Sequence, residues 1–309
     1  FLQIETFDPH EPFFVQPEYD ARFPDGYQGP FCDWPDYRPV NDQDSPEFID
    51  HMRRRYAALL SMCDENLGRI LDAMDEYDLW KDTLLIVNTD HGFLLAEHGQ
   101  WAKCHCPFYG EVAHTPLFIW DPRTGRQGVR ASSLVQTIDL PATLLEFFGQ
   151  PLPPDMQGRP LRPVLERDEP VHEAGLFGIF GGQVCCTDGQ WVYMRSPVPG
   201  NQPRYEYTLM PTRHGGRRAF IHNEILQRMQ LHPAFSFTKG VPVLRLPSEN
   251  RISQAEYPTM LFRMDQDPAQ LHPANDPEQE ARMLALMARL MRENDCPPEQ
   301  FQRMGIKIS

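Results

Sequence analysis

Leu84-Leu85-Ile86-Val87-Asn88-Thr89-Asp90-His91-Gly92, followed at once by Glu97-His98-Gly99-Gln100-Trp101-Ala102-Lys103, decides the fold class of this chain. An apolar run ends in an acid, an imidazole and a glycine, which is how an open α/β sheet presents ligands at a strand's carboxyl end. Asp90 offers a hard oxygen donor and His91 a nitrogen donor beside it. Adjacent strand residues point to opposite faces, so both can reach one cation only if the strand stops here, and Gly92 permits the turn. Lys103 adds a compact positive charge able to hold a sulfate or phosphate oxygen near that metal. Taken alone, Asp-His-Gly reads equally well as a strand-ending turn with a solvated lysine.

The flanking text narrows the choice. Asn88 to Gly92, Glu97-His98-Gly99-x-Trp101-x-Lys103, Pro107 to Glu111 and Thr115-Pro116-Leu117 together resemble the sulfatase family, within the alkaline phosphatase superfamily. Three further segments are similar and in order: Phe7-Asp8-Pro9-His10-Glu11-Pro12-Phe13, Val135 to Leu145 and, more distantly, Phe262-Arg263-Met264-Asp265-Gln266-Asp267-Pro268. The resemblance implies an alkaline-phosphatase-like mixed sheet flanked by helices, plus a smaller C-terminal α+β subdomain with an antiparallel sheet. It implies Asp90 and His91 as metal ligands and Lys103 and His10 as catalytic and sulfate-binding groups. His98 joins them as a substrate contact, because Glu97-His98-Gly99 recurs near the family's site. The other histidines carry no comparable motif and read as structural or exposed.

One hallmark is missing. The family oxidises a Cys or Ser, in Cys-x-Pro-x-Arg or Ser-x-Pro-x-Arg, to a formylglycine nucleophile, and neither phrase occurs here. Cys296-Pro297-Pro298-Glu299-Gln300 comes nearest, with Gln300 where the family has Arg. The first-strand acids are absent too, and Leu2 to Phe7 reads as a core strand already under way. The expectation is therefore the second part of a longer enzyme, inactive alone, with formylglycine supplied by the part not present. Calcium is the ion the resemblance implies, but a nitrogen ligand such as His91 suits manganese better, and magnesium stays open. Superfamily phosphonate monoester hydrolases also place His there, which keeps a phosphonate or phosphate mono- or diester hydrolase as the alternative. An inert ligand-binding fragment is the third reading.

Composition limits the partners. A net charge of −14 argues against nucleic acid and anionic membranes, and no apolar run nears the ~20 residues that span a bilayer. A small sulfated substrate is the expected partner, and a homo-oligomer is compatible with the chain. The seven cysteines are odd in number, and adjacent Cys185 and Cys186 would face opposite sides of a strand. That is no disulfide framework, and a reducing, cytoplasmic location is expected. Cys104-His105-Cys106 lacks the second pair that a structural zinc needs, and reads instead as the site entrance.

Residues 1–155 read as the second part of the catalytic α/β domain and 156–309 as the C-terminal subdomain. A long Pro, Asp and aromatic loop, 14–44, is expected to shape the substrate pocket, with Trp34 and Tyr37 available for stacking on a sugar. From Asp44 and Pro46 to Tyr77, the stripe Phe48, Met52, Tyr56, Leu59, Cys63, Leu67, Ile70 and Met74 predicts a helix, capped by Asp44 and Glu47. Its Arg53-Arg54-Arg55 run reads as a solvated face. Strands are predicted at 83–89 and, buried, at 116–120, and a helix at 138–148 ended by Gly149. Further on, 184–194 and 204–210 predict an antiparallel sheet, and 219–229 and 278–293 predict helices.

Overall fold

The computed structural model describes residues 1–210, 221, 223–248 and 257–307. Its internal contacts form two units, Phe1–Cys104 with His114–Gln127, and His105–Ala113 with the chain from Gly128 onward. They part near residue 127, earlier than the change of sequence texture at 155/156. Hydrogen bonds account for this: Gln136 donates to the Leu176 carbonyl and His172 meets Asp139, tying 130–150 to the strands and turns beyond residue 170.

In the first unit a single turn, α1 (Pro17–Asp20), precedes the long helix α2 (Pro46–Glu76). The cap is Ser45, whose hydroxyl accepts the Phe48 N–H at 3.2 Å, with Pro46 preset for the first turn. Asp44, expected in a capping box, is taken up by Arg38 instead. The apolar stripe does its predicted work: Met52 and Leu59 are buried with Phe13, Leu95 and Trp101. Of the three arginines, Arg55 departs from the solvated face. It is buried and donates to the Phe13 carbonyl at 2.7 Å.

Strand β1 (Leu85–Asn88) is followed by a hairpin of β2 (Leu94–Leu95) and β3 (Trp101–Ala102), then β4 (Leu117–Trp120). β1 pairs antiparallel with β4, Leu85 opposite Trp120 and Asn88 opposite Leu117. Neither strand is fully buried and Phe118 is exposed, so the buried strand expected at 116–120 is corrected. Residues 2–7 form no strand either. Leu2, Ile4 and Phe7 are exposed, because no described segment lies alongside to complete a ladder.

The second unit opens with α3 (Gly110–Ala113), α4 (Asp139–Phe147) and α5 (Arg162–Arg167). α4 ends as predicted at Gly149, whose φ of 64° lets its N–H return to the Glu146 carbonyl. Strands β5 (Gly175–Gly178), β6 (Val184–Thr187) and β7 (Trp191–Arg195) form an antiparallel sheet, which β11 (Met260–Arg263) completes in the order β11-β7-β6-β5. The intervening β8 (Tyr205–Thr208), β9 (Gln230–His232) and β10 (Val243–Pro247) make a separate sheet, ordered β8-β10-β9. The predicted single sheet is thus two, since Pro197, Pro199 and Pro203 lack the N–H that would continue the ladder past β7.

Cys185 and Cys186 do face opposite sides of β6. Cys186 packs with Met283, Met287 and Met291 of the C-terminal helix, and Cys185 with Met194, Met260 and Phe262. Among the described residues the α-helices α6 (Asn223–Leu226), α7 (Pro277–Glu293) and α8 (Pro298–Arg303) follow. The beginning of the helix predicted over 219–229, with Arg217-Arg218, His214 and His222, lies outside the described residues.

Candidate active site

Two groups of the expected residues form in the first unit. Lys103 leaves β3 with its ammonium 3.1 Å from His10 Nε2 and 3.4 Å from Glu11 Oε2, and the Phe93 ring lies below it at 5.8 Å. An ammonium has only protons to offer, so His10 Nε2 accepts, and the ring proton belongs on Nδ1, 2.5 Å from the Glu11 carbonyl oxygen. His10 is thereby a neutral imidazole of one tautomer, with its ring against Phe7 at 4.9 Å. Lys103 is 6% exposed and Glu11 1%, while the His10 side chain is 39% open to solvent. The cluster is therefore a buried ion pair with an imidazole at its mouth.

Glu11 holds the group together. The Tyr37 hydroxyl donates to Oε1, which leaves Oε2 for Lys103. Burial first, then the bond to this carboxylate, hold the Tyr37 hydroxyl well above the usual phenol range. Burial also pushes the adjacent Cys104 thiol up against the lowering pull of Lys103, so Cys104 is no ready nucleophile.

The backbone around Lys103 is unusual. Ala96, His98, Ala102 and Cys104 all adopt left-handed conformations, with φ of 76, 54, 67 and 74°. Each costs roughly 1–2 kcal/mol for a residue with a Cβ. Such strain persists where surroundings over-determine it, and here they do. Arg53 donates to the Leu95 carbonyl at 2.9 Å and reaches Glu97, while Val40 N–H and Arg38 carbonyl bond Gly99 and Trp101. His98 sits half-buried within this turn. Gly92, in contrast, is not left-handed; the sharp turns come later.

Asp90 and His91 form the second group, just past the end of β1. His91 Nδ1 lies 3.1 Å from the Gly92 carbonyl, and Nε2 lies 3.4 Å from Asp90 Oδ2. The carboxyl is 81% exposed, and its other oxygen accepts the His91 N–H at 2.9 Å. Desolvation would raise the Asp90 pKa, but that bond and the charge of the His91 ring outweigh it and lower it. A ring pinned through Nδ1 with Nε2 beside a carboxylate is a donor arrangement that suits a cation. It supplies two donors; among the described residues no group of three or more His, Cys, Asp or Glu converges. No hydrogen bond or ion pair among those residues joins this pair to the Lys103 cluster.

The sequence undervalued Glu11 and Tyr37. Glu11 reads as a loop-orienting neighbour of His10, and Tyr37 as a stacking surface. No local signal in the sequence separates Glu11 from an ordinary loop acid or Tyr37 from a surface aromatic.

Residues 1–150 match the family model described as Sulfatase. An N-acetylglucosamine-6-O-sulfatase of Bacteroides thetaiotaomicron is 35% identical over 115 residues, 37% of this chain and 20% of that protein. A multifunctional alkaline phosphatase superfamily protein, PehA of Trinickia caryophylli, is 28% identical over 197 residues, 55% of this chain and 38% of its own. A structure solved with its substrate D-glucosamine-2-N,6-O-disulfate superposes with a TM-score of 0.56 at 18% identity, over 82% of this chain and 42% of that one. It shows a common fold. The chain thus spans a fifth to two fifths of these two curated relatives.

Proposed function

We propose that the protein is a sulfuric ester hydrolase acting on a small sulfated carbohydrate or aryl ester, because residues 1–150 match the sulfatase family model. The observation that carries this reading is the Lys103 ammonium, buried and fixed on His10 and Glu11. A lysine held in this way presents a directed, charge-assisted donor of the kind that recognises an oxyanion. Its free donor would bind an oxygen of the sulfate, and its proton is the one nearest a departing alcohol. His10 Nε2, now accepting from Lys103, would take up or return that proton as the leaving oxygen requires.

Asp90 and His91 would hold a divalent cation, the rest of its shell coming from water, substrate or other residues. Bound there, the cation would stabilise charge on the transferring group as a Lewis acid. Calcium is the first candidate by family; the imidazole donor favours manganese over magnesium as the alternative. The nucleophile, a formylglycine by family, is not encoded by these 309 residues. The 309 residues alone are therefore expected to hydrolyse nitrophenyl sulfate no faster than buffer.

His91 beside Asp90, and the likeness to PehA, support a second reading as a phosphonate or phosphate ester hydrolase. The two separate in one assay of the full natural protein on nitrophenyl sulfate, nitrophenyl phenylphosphonate and nitrophenyl phosphate. The first reading requires the highest kcat/KM on the sulfate. A higher value on either phosphorus ester replaces it with the second, and no turnover on any of them refutes both.

A further inference from the structure

An anion site is expected to carry surplus positive charge, yet the ammonium at this one is already neutralised. Lys103 and Glu11 are both more than nine-tenths buried and 3.4 Å apart, so water screens their charges little. His10 is neutral while its Nε2 accepts from Lys103. This wall of the site therefore offers directed donors and no net charge. A singly charged ester gains the donors. A dianion brings a second negative charge against the Glu11 carboxylate, with no cation on this wall left to meet it.

We propose that Glu11 is a positioning and specificity-determining residue, which fixes the Lys103 ammonium and biases the site toward singly charged oxyanion esters over dianions. Tyr37 is its support. By donating to Oε1, the hydroxyl keeps the carboxylate turned so that Oε2 faces Lys103. The inference rests on the oxyanion-ester reading above, and it adds the charge class of the substrate. It holds for a sulfate monoester or a phosphonate monoester alike, both of which carry one charge at neutral pH, and it disfavours a phosphate monoester.

The test is calorimetric titration of the full natural protein, metal-loaded and at constant ionic strength, with methyl sulfate as monoanion and inorganic sulfate as dianion. The native protein should bind methyl sulfate more tightly. In Glu11→Gln the ratio of affinities should move toward the dianion by roughly ten- to a hundredfold, the effect of one unit charge at short range at a protein's effective dielectric. Glu11→Asp should restore the native ratio, and Tyr37→Phe should weaken both ligands while leaving the ratio alone. A structural role for Glu11 would instead weaken both ligands equally in Glu11→Gln, and that outcome overturns the proposal. So does a native protein that prefers the dianion, whatever the variants do. Failure of the native protein to bind either anion removes the hydrolase reading, and this inference with it.

Discussion

Replacing Asp44 by Asn should destabilise the protein in a way that fades as the solution is made acid. The Asp44 side chain is 1% exposed and accepts two bonds from Arg38, at 2.6 and 2.8 Å, and a third from the Asn41 N–H at 2.9 Å. Pairing with Arg38, working against desolvation, pulls its carboxyl down to about 2 from an ordinary 3.8. That fall corresponds to about 2 kcal/mol of folding stability at neutral pH. The folded value lies below the unfolded one, so the contribution is complete above the unfolded pKa and is lost as pH falls through the folded one. About half should be gone by pH 3. Asn keeps the shape and one acceptor, so Asp44→Asn should cost about 2–3 kcal/mol at pH 7, a fall in Tm of roughly 4–12 °C. The same carboxylate steadies Arg38, whose carbonyl accepts the Trp101 N–H two residues before Lys103, so anion binding should weaken as well. Urea unfolding of both proteins at pH 7, 5 and 3 measures the effect. A penalty equal at pH 7 and pH 3 would refute the electrostatic argument.

Other perturbations test the framework around the site. Asp139, fully buried, accepts from the Gln136 and Arg159 N–H groups and meets His172 Nε2 at 2.8 Å; Asp139→Ala should cost about 3–5 kcal/mol in thermal unfolding, because three polar groups lose their acceptor. Met287→Ala should cost about 2–5 kcal/mol in the same measurement, through the cavity it opens under the β5–β7 sheet. Ser45→Ala should cost about 1 kcal/mol in urea melts, through the lost helix cap.

The helices were legible in the sequence because their signals are local. Met52, Leu59 and Met74 recur at helical spacing and are buried, and Met283, Met287 and Met291 do the same in α7. Gly149 likewise marks a helix end that the structure places within one residue. What escaped was non-local. Whether 2–7 is a strand depends on a neighbour that 2–7 does not encode, and the break between β7 and β8 depends on prolines competing with an attractive alternation. Arg55 reads as a surface charge until Phe13, far away in sequence, presents its carbonyl. For the candidate site, His10 and Lys103 were named from motif and do meet, and Asp90 and His91 do share one strand end. The partner that orders the first pair was not foreseen as such. Nothing near Glu11 in the sequence announces Tyr37 above it or a lysine from β3 beside it.

In the proposed function, Lys103 and His10 receive the sulfate ester. A crystal structure of the full natural protein soaked with a sulfated sugar tests it most directly. A sulfate oxygen should lie within hydrogen-bonding distance of Lys103 Nζ, with His10 Nε2 at the ester oxygen or a second sulfate oxygen. A sulfate bound elsewhere, with the Lys103, His10 and Glu11 contacts unchanged and water in front of them, would contradict it.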